Sequence, residues 1–163
     1  FEKTVILLCN YNEEGAMGLV MNHPTETLVR ELIKEEVSKE GVLDFPLLLG
    51  GPVQPETFWA VHSPDFEGES TIHLSTGICL SSAQDVIKAL NLSEGPEVCH
   101  LGCGYSGWGP EQLDAEIQRE SWWLGPMDEQ LLLMMDYSER WETSLKNLGF
   151  DPLTAEFIPT GTV

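Results

Sequence analysis

The stretch from Gly102 to Trp108 (GCGYSGW) concentrates the residues that could do chemistry. Gly102 to Gly107 spells G-x-G-x-x-G, the spacing at which a loop between a strand and a helix lets backbone N–H groups cradle a pyrophosphate. Two features oppose that reading. Asp136, the acid that could meet a ribose, comes 29 residues after Gly107, whereas the motif wants about 20. Glu111 would also place a negative charge at the helix start, where the phosphates should sit. Gly104 to Trp108 half matches the G-x-S-x-G nucleophile elbow, but Trp108 stands where the second glycine is required and no histidine follows Ser106 to act as base. Cys99, His100 and Cys103, with Cys79, His62 and His73, are zinc donors by type. Strand alternation sends Cys99 and His100 to opposite faces, however, and the chain holds no C-x-x-C pair. Cys103 is the best candidate for an exposed thiol, although no neighbouring basic residue would activate it. Asp114, Glu116 and Glu120 are expected on one helix, with the last two sharing a face. In an acidic chain such carboxylates generally form a solvated surface, though they could divide acid and base roles.

Composition narrows the classes. Eight Lys plus Arg against 27 Asp plus Glu give a formal charge of -19, with the basic residues scattered along the chain. Such a field repels nucleic-acid phosphates, so direct nucleic-acid binding is disfavoured. No apolar run approaches the roughly 20 residues of a membrane helix. The 163 residues read as one domain, 1–163, able to bury a core without staples. Four cysteines, three of them in or beside strand-like runs, read as reduced thiols and hence a cytoplasmic setting. The chain opens on Phe1 rather than Met, which leaves room for a removed targeting segment.

The elements that must position these residues follow from periodicity. Thr4 to Asn10 predicts a central strand paired through a turn with Met17 to Asn22. Thr25 can cap an amphipathic helix carrying Leu28, Val29, Leu32 and Ile33, which Gly41 would stop. Leu47 to Leu49 and Thr57 to His62 read as strands around the rigid Gly50-Gly51-Pro52 turn. Short strand pieces follow near Thr71 to Leu74 and Gly77 to Leu80, then a helix capped at Ser81. Val98 to Leu101 predicts a strand that meets a glycine-dense turn, after which Pro110 opens a helix leading to a strand at Trp122. Leu131 to Met135 reads as a short strand, with helix the alternative that periodicity alone leaves open, Ser138 caps a last helix stopped by Gly149, and Ala155 to Ile158 is a weak terminal strand. The fold class expected is α+β, a mixed sheet curled toward a barrel with about four flanking helices.

With these stretches in hand, the chain resembles the AlgH/YqgE family of mostly bacterial proteins without an assigned biochemical role. The carrying residues are Phe1 to Leu8 (FEKTVILL), Gly15 to Pro24 (GAMGLVMNHP), Gly50 to Val53 (GGPV) and Gly104 to Trp123 (GYSGWGPEQLDAEIQRESWW). The resemblance implies an α+β fold with no catalytic residues to carry over, and some members bear a transcriptional-regulator label. Two departures stand out. The family usually has glycine where this chain has Glu111, and its members generally begin with one more strand upstream of Phe1.

Glycines, a proline turn and polar or aromatic side chains recur at strand ends, where binding sites concentrate. The candidate binding residues are accordingly Asn22, His23, Gly50, Gly51, Gly104, Tyr105, Trp108 and Gln112. The function expected is a non-enzymatic binding or regulatory module acting through protein contacts. The alternatives are an enzyme or small-molecule-binding protein using the glycine/tryptophan turn, through Cys103 or the Glu116 and Glu120 pair, and a transcriptional regulator. No catalytic residue, metal ligand or cofactor is nominated, the partner is expected to be a protein or a small molecule, and no oligomeric state is read from the sequence.

Overall fold

A computed structural model describes residues 1–33, 41–153 and 161–162. Thr4–Asn12 (β1) and Gly15–Val20 (β2) form an antiparallel hairpin with Ile6 opposite Val20 and Asn12 opposite Gly15. Its tip is set by Asn12, whose side-chain carbonyl accepts from the Glu14 N–H, an Asx turn built from residues that tolerate such geometry. The hub of the sheet is Cys99–Trp108 (β8). One of its edges pairs along Val53–His62 (β5). The other is shared, with Pro46–Leu49 (β4) running parallel to its first half and β2 antiparallel to its second. Beyond β5 lie Cys79–Ser82 (β7) and Ile72–His73 (β6), and Pro24–Leu28 (β3) covers β4. On the far side, β1 is joined in parallel by Gly161–Thr162 (β10) and through it by Trp122–Trp123 (β9). The result is a mixed sheet curled into a half-barrel.

Among the described residues four α-helices pack on it: Ala83–Asn91 (α1), Gln112–Gln118 (α2), Glu129–Leu133 (α3) and Arg140–Asn147 (α4). The main core joins Val5, Leu7, Leu19, Met21, Leu48, Trp59 and Val61 to Leu131, Leu132, Leu133, Trp141 and Leu145 of α3 and α4. A second cluster packs Val86 and Ala83 of α1 against Leu101, Ala60 and Leu47. A third gathers Ile6, Val20, Trp108, Leu113 and Trp122.

Several local expectations give way to tertiary structure. The stretch after Leu101 does not turn; β8 continues through Trp108, because its glycines accommodate neighbours that come too close for a side chain. Thr25 does not cap a helix. Its hydroxyl donates to the Leu47 carbonyl, which draws Pro24–Leu28 into a strand beside β4 and leaves only a 3-10 turn over Val29–Leu32. The remainder of that expected helix, residues 34–40, lies outside the described residues, as does the expected strand at 155–158. Leu131 to Met135 is not a strand. Asp128 caps α3 by accepting from the Leu131 N–H, and Leu131, Leu132 and Leu133 are all buried, so three apolar residues in succession mark burial on several sides rather than a strand. The helix near Ser81 starts one residue later on Ser82, since the Ser81 hydroxyl is engaged elsewhere. Ser138 sits in a 3-10 turn and caps nothing, whereas Gly149 does stop α4 at φ +88, with the Phe150 N–H bonding back to the Leu145 carbonyl.

Candidate functional site

The glycines of the central strand have identifiable tasks. The Trp59 indole lies against Gly102 and Gly50, so that a Cβ at Gly102 would penetrate the ring, and its N–H donates to the Gly104 carbonyl at 2.7 Å. Gly104 takes φ +72 and its Cα side abuts the Gly51 carbonyl. This kink lets the Gly50-Gly51 turn lie on β8: the Gly50 N–H donates to Cys103, the Gly50 carbonyl accepts from Val20, and the buried Ser106 hydroxyl donates to that same carbonyl at 3.2 Å. Ser106 is thus a strand residue fixing a turn. It is not itself in a turn.

Trp108 and Gln112 belong to a different constellation. Trp108 and Trp122 both donate their indole N–H to one carboxylate oxygen of Glu116, at 2.9 and 2.8 Å, and Gln112 donates to the other at 3.1 Å. The two indoles meet edge-on with centroids 5.8 Å apart, and Phe1 covers both. Burial alone would raise the Glu116 pKa, but these hydrogen bonds and Arg119 outweigh it and hold the carboxyl below its ordinary value. A carboxylate kept ionised by three donors is an anchor for α2, poorly suited to shuttling protons. Nor does it share a helix face with Glu120, which lies past the end of α2 at φ 61.

Between the hairpin tip and β8 opens a shallow hollow of about 400 Å³, lined by Asn10, Asn12, Glu14, Val53, Tyr105, Gly107 and Trp108 among others. Its floor is Gly107, which is exposed and whose backbone lies outside the left-handed region. A Cβ there would meet only Tyr105 and Val53 side-chain atoms at 3.6 and 3.8 Å, ordinary contact. Unlike Gly102 and Gly104, Gly107 answers no demand of the fold.

The remaining candidates brace neighbouring segments. The Asn22 side chain accepts from the Val5 N–H and donates to the Lys3 carbonyl, and the His23 carbonyl accepts from Leu49. Burial lowers the His23 pKa. Of the eight residues nominated from sequence, His23, Gly50, Gly51, Gly104 and Tyr105 therefore lie around one turn, Trp108 and Gln112 around Glu116, and Asn22 at the start of β1. Only Tyr105 and Trp108 reach the hollow. The sequence reading missed Gly107 as a separate case, along with Asn10, Asn12 and Glu14.

The AlgH-like family matches residues 1–153. The chain belongs to the AlgH-like family. A UPF0301 protein from Shewanella sp. (strain ANA-3) is 36% identical over 157 residues, covering 93% of this chain and 84% of the relative. One from Ruegeria pomeroyi is also 36% identical over 157 residues, covering 94% and 85%. The solution structure of the AlgH protein from Pseudomonas aeruginosa superposes with a TM-score of 0.77 at 32% identity, covering 91% of this chain and 80% of that one. Protein DIP2367 from Corynebacterium diphtheriae, at 19% identity and a TM-score of 0.72 over 90% and 78%, shares the fold. Glu111 sits at φ 61 immediately before α2, a conformation that favours glycine, the residue that the resemblance implies at this position.

The thiols and histidines of this AlgH-like chain are arranged differently from expectation. Cys103 is half-buried, and burial raises its pKa. The cysteine with a histidine partner is Cys79, opposite His73 in the β6–β7 ladder: its Sγ lies 3.3 Å from His73 Nδ1, while His73 Nε2 lies 2.9 Å from Glu67. Glu67 can only accept, so Nε2 carries the hydrogen and Nδ1 receives the thiol proton. This is a thiol, imidazole and carboxylate in series, yet Cys79 is fully buried and burial, then Glu67 and Asp65, push its pKa up. His62 is likewise sealed between the Ser81 hydroxyl and the Ser63 carbonyl, each at 2.7 Å. Among the described residues no group of three or more His, Cys, Asp or Glu is placed to hold a metal ion, and no helix is long and apolar enough to cross a membrane.

Proposed function

We propose that this AlgH-like chain is a protein-contact module whose docking point is the hollow over Gly107, and that the group received there is a lysine or arginine side chain of a basic polypeptide. The observation that carries the reading is Gly107 itself. A strand interior is weakened by glycine, and where internal packing does not require one, close approach by a ligand or another chain is one of the reasons a strand carries it. The chemistry of the rim selects a cation. The exposed Glu14 carboxylate stands at the edge, Asn10 and Asn12 offer amide oxygens, and Tyr105 offers a ring face on which a guanidinium can lie. The formal charge of -19 steers a basic partner toward the molecule and repels nucleic acid. The four free thiols support a reducing, cytoplasmic setting.

Titration of isotope-labelled protein with tetra-arginine tests this, read by amide chemical shifts in moderate salt. Shifts grouped on Met17, Val53, Tyr105 and Gly107, and lost in Gly107→Val, are expected. Shifts spread over the acidic surface, or a neutral metabolite that occupies the hollow in preference, would refute it.

A further inference from the structure

A second polar cluster, at the opposite end of β8, plays no part in that docking. His100 reaches off the sheet toward the segment containing α3, the 3-10 turn at Tyr137–Glu139 and α4. Its Nε2 lies 2.8 Å from the Leu133 carbonyl and its Nδ1 2.7 Å from the Tyr137 hydroxyl. A carbonyl can only accept, so Nε2 bears the hydrogen and Nδ1 accepts from Tyr137. Arg140 Nη2 stands 3.3 Å from Nε2. Both atoms are therefore donors, and the approach is a contact between an imidazole and a cation with no hydrogen bond between them. Arg140 itself is fully buried, its other donors directed to the carbonyls of Met21 and Met135 and its guanidinium laid over the Tyr137 ring at 4.6 Å. Among the described residues it forms no ion pair with a carboxylate.

We infer that His100 is an acid-sensitive latch: neutral, it holds the α3–α4 cap on the sheet, and protonated, it releases the cap ahead of the strands. Uptake of a proton turns Nδ1 into a donor facing a hydroxyl that has been donating, and sets a second positive charge beside Arg140 where little water can screen it. The other ionisable groups in reach are Tyr137 and Asp136 on the cap side and Cys99 on β8, and Asp136 acts through its attraction for Arg140. Burial first, then Arg140, lower the His100 pKa to about 4 against the pull of the Leu133 carbonyl. Since the opened form titrates near the ordinary 6.5, acid favours opening throughout the interval between the two values. The effect is about tenfold per pH unit and at most about 300-fold in total. Release would uncover Leu131, Leu132, Leu133, Trp141 and Leu145, all buried in the closed form.

Amide hydrogen exchange, expressed as protection factors at pH 6.5, 5.5 and 4.5, tests the latch on the whole chain. Protection in α3 and α4 should fall about tenfold per unit while β5 and β8 hold, and His100→Gln, which keeps a donor for Leu133 and cannot titrate, should flatten the dependence. Tyr137→Phe, which preserves the ring and removes the hydroxyl that Nδ1 accepts from, should raise the closed-form pKa toward 6.5, so that the fall still begins near 6.5 but ends at a higher pH and is smaller in total. His62→Gln should leave the cap's response intact. An unchanged slope in His100→Gln, an unchanged fall in Tyr137→Phe, or simultaneous loss of protection in strands and cap would each overturn the proposal.

Discussion

The two ends of β8 make opposite use of one strand. Around His100 the side chains are large, polar and enclosed, and every hydrogen bond that the ring makes is to the cap. Around Gly107 the strand carries no side chain, faces solvent, and is bordered by a hollow. Between them, Gly102 and Gly104 are spoken for by Trp59 and by the Gly50-Gly51 turn. Glycine content alone therefore says little about function. What separates a structural glycine from a functional candidate is whether a methyl group would collide with the protein's own atoms.

Substitutions at these positions sharpen that contrast, and the largest effect is expected at Gly102. A valine there would drive its branched side chain into the Trp59 indole and displace a buried ring from the main core, costing about 3 kcal/mol or more, or preventing folding. Denaturant unfolding monitored by tryptophan fluorescence measures it. A Gly102→Val protein as stable as the parent would mean that Trp59 does not pack as described.

Acid comes next. His100 is held neutral in the fold with its pKa lowered to about 4, and in the unfolded chain it takes up a proton near 6.5. Its contribution to stability is therefore complete above 6.5, declines as pH falls, and is exhausted below about 4, a loss of up to about 3 kcal/mol. His62 and His23, also lowered by burial, act in the same direction. Asp65, Asp85 and Glu116 are depressed from ordinary carboxylate values and contribute only at lower pH. Unfolding free energy measured from pH 7 to 4.5 should fall for the parent and fall less for His100→Gln.

A smaller loss is expected from Glu116→Ala. Two indole N–H groups and one amide lose their common acceptor, and α2 loses its tie to the sheet, for about 2 kcal/mol. Tyr11, which donates to Asp114 on the same helix, limits the damage by keeping a second tie.

How much of this was legible beforehand depended on the range of the signal. Apolar runs such as Thr4 to Leu8 announce strands because burial on both faces leaves few other possibilities, and the mixed α+β class follows from their count. Thr25 and the Leu131 run were misread because their states are set by partners distant in sequence: a Leu47 carbonyl for one, the underside of the sheet for the other. The glycines from 102 to 107 looked like a turn because glycine's local preference is visible in sequence and an indole placed over it is not. The pairing of Cys79 with His73 could have been suspected from their six-residue spacing across a hairpin. The approach of His100 to Tyr137 and Arg140, 37 and 40 residues away, could not.

The least expected change in stability belongs to the position given the most functional weight. Gly107→Ala should shift unfolding free energy by no more than about 0.5 kcal/mol, because the new methyl meets Tyr105 and Val53 at ordinary contact distance and the extended backbone suits any residue. It could even stabilise slightly, by restricting the unfolded chain. Gly107→Val should fold as well but fill the floor of the hollow, so that tetra-arginine shifts disappear while the denaturation midpoint stays put. If Gly107→Ala instead destabilises as heavily as a substitution at Gly102, the glycine has a structural task and the asymmetry between the two ends of β8 collapses. If both variants fold and bind as the parent does, the hollow is not where the partner docks.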